Sequence, residues 1–128
     1  MNGDLPNPDA AGTPGPEAEA LRDIGEVPAV EVVTTVALHL MSAAAVQLGL
    51  GTPDESQDAE PVDLDEARTL ITALAGLVTA AAPRIGTFHA APLRDGLKSL
   101  QQAFREASTY PDPPGTGPGE DLTGPVIG

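Results

Sequence analysis

Cysteine and tryptophan are both missing from this chain of 128 residues. With no thiol there can be no disulfide framework, no thiolate metal site and no cysteine nucleophile. Aromatic rings are scarce, with only Phe88, Phe104 and Tyr110. Any core must therefore come from Ala, Leu and Val, and each alanine brings little area to bury. Bases are scarce too: six Lys and Arg stand against 19 Asp and Glu, for a net charge of -13. Over most of its length such a chain repels phosphate, which argues against bulk nucleic-acid binding. The opening Met1-Asn2-Gly3-Asp4 has neither a basic nor an apolar region of the kind a secretory signal needs, so a cytoplasmic location is the expectation.

The charge is unevenly spread. Residues 1–66 hold fourteen acids and the single base Arg22. Residues 67–110 reverse the balance, with Arg68, Arg84, Arg94, Lys98 and Arg105 against Asp95 and Glu106. The prolines are uneven as well. Ten of the fourteen lie before residue 29 or after residue 110, and the stretches 29–52, 62–82 and 93–110 contain none. Residues 1–27 and 111–128 are rich in Pro and Gly and poor in large apolar groups. They read as disordered tails, because they cannot bury enough surface to offset ordering. Residues 50–62 read as an acidic linker.

The three proline-poor stretches carry helical periodicity. Val33, Val36, Ala37, Leu40, Met41, Ala44 and Leu48 recur at spacings of three and four, and Gly49 or Gly51 can close the helix in a left-handed turn. Asp63, with Glu66 three residues on, has the form of a capping box for a second helix. That helix runs through Ala67, Ile71, Leu74, Val78 and Ala81, with Pro83 expected to end it. Gly76 inside it suggests a close helix crossing. Leu93, Leu97, Leu100, Phe104 and Ala107 make the stripe of a third helix. The short turn at 83–89 predicts an antiparallel hairpin of the last two helices, with the first packed across it. The expected fold is thus all-α, a small three-helix module over about 29–49, 63–82 and 89–109. A module this small and alanine-rich gains from self-association, so a homo-oligomer is expected.

Few residues carry chemistry. His39 lies mid-helix with no partner close in sequence, and His89 lies beside the turn near Arg84 and Arg94. Two histidines at unrelated spacing make no metal motif. Asp63, Asp65 and Glu66 lack the glycine and the later glutamate of a calcium loop and are better read as helix capping. No serine sits in a nucleophile motif. The expectation is no catalysis, no metal and no cofactor. One constellation stands out: Arg94, Lys98 and Arg105 fall within roughly 40° of one another on the third helix, with Gln101 on the same face. This stripe could grip RNA phosphate, as on a ribosome, or an acidic protein surface. A different use of the chain is suggested by residues 32–53, which hold no charge and approach the length that spans a bilayer. Their Thr34, Thr35, His39, Ser42 and Gln47, and the lack of flanking bases, favour a packed helix.

The strings AVEVVTTVALHLMSAAAVQLGL, DLDEARTLITALAGLVTAAAP and FHAAPLRDGLKSLQQAFREAS, taken in order, resemble the bacterial family known as domain of unknown function 1844, its actinobacterial branch especially. The resemblance covers about residues 27–110 and extends weakly into the tail string PGTGPGEDLTGPV. It departs at Ala82-Pro83-Arg84-Ile85-Gly86-Thr87-Phe88, where many members carry a polar Lys-Thr-x-Gly-Asn-Leu type stretch. The resemblance implies no assigned activity. In some actinobacterial members the gene lies near that for translation initiation factor three, which makes a translation-related protein partner the expectation on family grounds.

Overall fold

A computed structural model describes residues 16, 25–50 and 62–126 of the chain. The expected disordered segment 1–27 and the expected linker 50–62 lie almost wholly outside the described residues. Among the described residues there is no strand, and the order is α1 (Ala29–Gln47), α2 (Leu64–Ile85), α3 (Thr87–Ala107) and a single turn, α4 (Glu120–Thr123). This is the all-α three-helix module that the apolar spacing predicts. The described residues from Val33 onward belong to one compact unit.

Helix ends follow local chemistry. The Pro28 carbonyl accepts from the Glu31 and Val32 amides as α1 begins. Gly49, at φ 79°, closes α1: its amide donates to Val46 O, and the Leu50 amide reaches back to Ala45 O at 2.8 Å. That pair of bonds is a Schellman closure, which needs a left-handed residue and so suits glycine. Asp63 caps α2, its carboxylate accepting from the Glu66 amide at 3.1 Å. Only this half of the expected capping box is made. The Asp63 amide, which Glu66 would have reached, donates instead to Gln47 O at 2.8 Å and ties the start of α2 to the end of α1.

Two expectations about α2 and α3 need correction. Pro83 does not end α2, which runs on to Ile85, and the connection to α3 is the single residue Gly86, at φ 87°. Pro83 fits because it stands in the last turn, where the loss of one amide donor interrupts little of the helix. Pro92 is likewise inside α3. Gly76 marks no close crossing, since a Cβ added there would meet nothing within 4 Å. Tight approaches lie at Gly96, where an added Cβ would strike the Met41 side chain of α1, and at Gly117 and Gly119.

Helices α2 and α3 form the expected antiparallel hairpin, with Arg68 near the start of one lying over the Phe104 ring near the end of the other at 4.9 Å. Their buried seam holds Ile71, Leu74, Val78, Leu93, Leu97, Leu100 and Phe104. Helix α1 meets this seam through Ala37, Ala44 and Leu48. Its buried stripe is thus mostly alanine. Leu40 and Met41 pack partly against the core, whereas Val36, Leu38, Val46 and, just past the helix, Leu50 are each about half exposed. Helix α1 thus carries large apolar groups on its outward face as well as against the core.

Candidate functional site

The structure departs most from expectation at the C-terminal segment. Residues 111–126 do not trail off as a loose tail but return to pack on α2 and α3, and Gly117, Pro118, Gly119 and Glu120 are buried. Composition alone missed this, because the segment buries few apolar groups of its own. It is held by polar anchors on α3. Arg105 binds Glu120 through two bonds, Nε to Oε2 at 2.7 Å and Nη2 to Oε1 at 2.8 Å. The same guanidinium donates to the carbonyls of Asp112 and Pro113. Gln101 donates its amide nitrogen to Pro118 O and to the Thr123 hydroxyl, each at 3.1 Å. Arg68 adds an ion pair to Asp112 at 3.0 Å.

The Glu120 side chain is shut off from solvent, and its charge is balanced locally. The hydrogen bond from Arg105 holds its carboxyl below the usual carboxylate range. Burial opposes that shift, and the Gly115 amide, donating at 2.9 Å, reinforces it. Arg105 is raised in turn, first by its hydrogen bond to Glu120. A charge-assisted, bidentate pair of this kind fixes direction as well as position. It closes the tail onto the hairpin as a latch.

The latch divides the four residues expected to form one interaction face. Gln101 is 2% exposed with its amide nitrogen bonded to the tail, and Arg105 is spent on the tail. The tail thus claims the donors of both. Arg94 and Lys98 remain exposed, and neither has an ion-pair partner among the described residues. They stand on the rim of a cleft of about 400 Å³ between Thr79 of α2, Leu97 and Gln101 of α3, and Leu122 to Val126 of the tail. The stripe read from the sequence is real as a helix stripe, but its C-terminal half lies under the chain's own tail.

A family model described as a domain of unknown function, DUF1844, matches residues 29–106. That span is more than half of the chain. The chain belongs to the DUF1844 family. No curated protein and no solved structure matches it. Within this DUF1844 chain the matched span carries Arg94, Lys98, Gln101 and Arg105 but stops short of Glu120. The latch thus joins the family region to a segment beyond it.

The remaining candidates in this DUF1844 chain are dispersed. His39 is exposed on α1, and His89 is exposed at the hairpin tip, its ring edge-on to Phe88 at 5.2 Å. No group of three His, Cys, Asp or Glu able to hold a metal ion occurs among the described residues. Asp63 caps α2, as its position predicts. The outward face of α1 carries a shallow depression lined by Leu38, His39, Ser42, Ala43 and Val46.

Proposed function

We propose that this DUF1844 chain is a non-catalytic cytoplasmic interaction module that works as a self-associated unit, with the outward face of α1 pairing against a second copy. The observation that carries this reading is the apolar outward face of α1, where Val36, Leu38 and Val46 are about half exposed, as is Leu50 just beyond the helix. From Val32 to Leu50 the chain has no charge, although the whole molecule carries -13. Two such acidic copies meet without like-charge repulsion along this neutral stripe. Ser42 and Ala43, at its middle, are small enough for two backbones to approach, with Leu38 of one copy facing Val46 of the other in an antiparallel pair. A heterologous acidic protein would gain nothing here from charge, and a basic one would find nothing to hold it.

The test is sedimentation equilibrium of the full chain. The expected result is a dimer for the native sequence and a monomer of unchanged helicity for Leu38→Glu combined with Val46→Glu. A native monomer at tens of micromolar, or a variant that still dimerises, would sink the α1 pairing. A translation-related partner is a further proposal, resting only on the family's gene neighbourhood. Comigration with ribosomal particles in a gentle lysate, lost at high salt, supports it, and migration only as a small free oligomer removes it.

One observation favours a second reading. Helix α1 is long and apolar enough by length and composition to cross a membrane, and little of it is buried in the fold. A membrane-associated protein using residues 32–53 would resist carbonate washing of a membrane fraction, whereas the self-associated module would be released.

A further inference from the structure

The cleft beside the latch has properties that self-association through α1 does not use. Arg94 and Lys98 lie one helical turn apart on the same side of α3, so their like charges oppose each other. Both other bases that face the C-terminal segment, Arg68 and Arg105, are neutralised by a carboxylate. In a chain with 19 acids and six Lys and Arg, Arg94 and Lys98 are left unpaired beside a concavity, among the described residues. Exposed Asp95 is adjacent in sequence but pairs with neither.

A second observation comes from the cleft wall. Gln101 is buried, and its orientation is fixed, since Pro118 O can only accept and must face the amide nitrogen. The Thr123 hydroxyl donates to Gly119 O and so accepts from the same nitrogen. The Gln101 Oε1 atom is therefore left with no donor among the described residues, in a side chain that lines the cleft. A buried acceptor without a partner is costly and calls for an N–H or O–H from something that enters. Leu97, Leu122, Pro125 and Val126 supply apolar wall. The volume of about 400 Å³ lies in the range that encloses a small ligand or the end of a peptide.

We propose that this cleft binds an acylated amino-acid carboxylate, the chemistry shared by N-acyl amino acids and by the C-terminal residue of a peptide. The carboxylate meets Arg94 and Lys98. The adjoining amide N–H donates to Gln101 Oε1, and an apolar side chain packs against Leu97 and Leu122. Along α3, Gln101 lies three residues beyond Lys98, a rise of about 4.5 Å, so one small ligand can reach both side chains. A phosphate ion satisfies the cations but has no apolar body for the wall. A neutral apolar ligand leaves both charges unmet.

The experiment is a ¹H–¹⁵N NMR titration of the full chain with N-acetyl-L-leucine. Its controls are N-acetyl-L-leucinamide, hexanoate and inorganic phosphate. Saturable shifts confined to residues 97–101 and 122–126 are expected, with a Kd near 1 mM, typical of so small a ligand. The uncharged leucinamide should bind at least about tenfold more weakly, as should the acid to a variant carrying Arg94→Gln and Lys98→Gln, since charge contacts dominate such a site. Both substitutions are at exposed positions, so an unchanged spectrum elsewhere verifies the fold. Hexanoate, lacking the N–H, should fall between. An N-acetylated tetrapeptide ending in leucine distinguishes the sources: tighter binding than N-acetyl-leucine assigns the site to a peptide terminus, equal binding to the free acid. Equal affinity for acid and leucinamide, indifference to the double substitution, phosphate binding as tight as N-acetyl-leucine, or shifts confined to α1 would each overturn the proposal. None of these outcomes depends on whether α1 dimerises.

Discussion

Replacing Phe104 with alanine should remove about 3–5 kcal/mol of stability, the usual cost of deleting a buried aromatic ring. Phe104 is the largest fully buried side chain and is 2% exposed. Three features raise the cost at this site. The ring closes the end of the α2–α3 hairpin, next to the point where the tail departs. It is covered on one face by the Arg68 guanidinium, a cation–π contact that disappears with it. No other aromatic ring is buried to share its packing, since Phe88 and Tyr110 are both almost wholly exposed. Small domains hold only about 5–15 kcal/mol in total, so much of the helical signal at 25 °C should be lost. Urea unfolding followed by far-ultraviolet circular dichroism measures this. The Phe88→Ala variant, removing a ring of the same size from an 86% exposed position, is the control and should shift the midpoint hardly at all. Similar midpoints for the two variants would contradict the core described above.

Gly119→Ala should detach the tail while leaving the hairpin folded. Gly119 has φ 76°, and a Cβ there would lie 2.6 Å from the Ala75 Cβ and 3.2 Å from Gln101 Nε2. The left-handed backbone alone costs a non-glycine residue roughly 1–2 kcal/mol. The overlap with Ala75 has no flexible end to move aside, and overpacking of this sort adds typically about 1–3 kcal/mol. Together these match or exceed what the polar anchors of a short segment supply. Hydrogen exchange should therefore show the amides of residues 115–124 losing protection, with those of α2 and α3 little changed. Acid should produce the same selective release without a substitution. Glu120 titrates below its ordinary range when folded, so its contribution is complete above the unfolded carboxylate value and is lost as the pH falls through the folded one. Tail protection should accordingly be flat from neutral pH down to about 5 and fall below about 4. Glu120→Gln should show the weakened state at every pH. A tail equally protected at pH 3 and pH 7 would mean that Arg105 and Glu120 do not hold it.

The hairpin and α1 were legible in the sequence because periodicity reports which side of a helix is buried, and Ile71, Leu74, Val78, Leu93, Leu97 and Phe104 are all found inside. Helix limits were less legible. Pro83 and Pro92 look like stops, yet both sit near the Gly86 corner, where the lost amide and the ring's clash with the preceding turn disturb only the end of a helix. The tail could not be read from composition, because composition treats each residue as if it had only itself to bury. Here Gln101 and Arg105, forty degrees or less from the stripe of Arg94 and Lys98, supply the bonds that the tail lacks. The run Gly117-Pro118-Gly119-Glu120 held the available hint: a carboxylate among residues suited to turns, in a chain with unclaimed arginines upstream. The outward face of α1 was also hidden. There Val36, Leu38 and Val46 interleave with Thr35, His39 and Ser42, so the pattern does not single out one side as the apolar one.

The bond from the Asp63 amide to Gln47 O has a consequence for how this chain can vary. It sets the distance between the residues that flank 51–61, whatever number of residues lies between them. Closing a longer excursion costs little, about 0.6 kcal/mol for each doubling of its length. The junction of α1 and α2 is thus a natural port for inserted sequence. Lineages, or engineers, can lengthen the chain there without re-specifying the module.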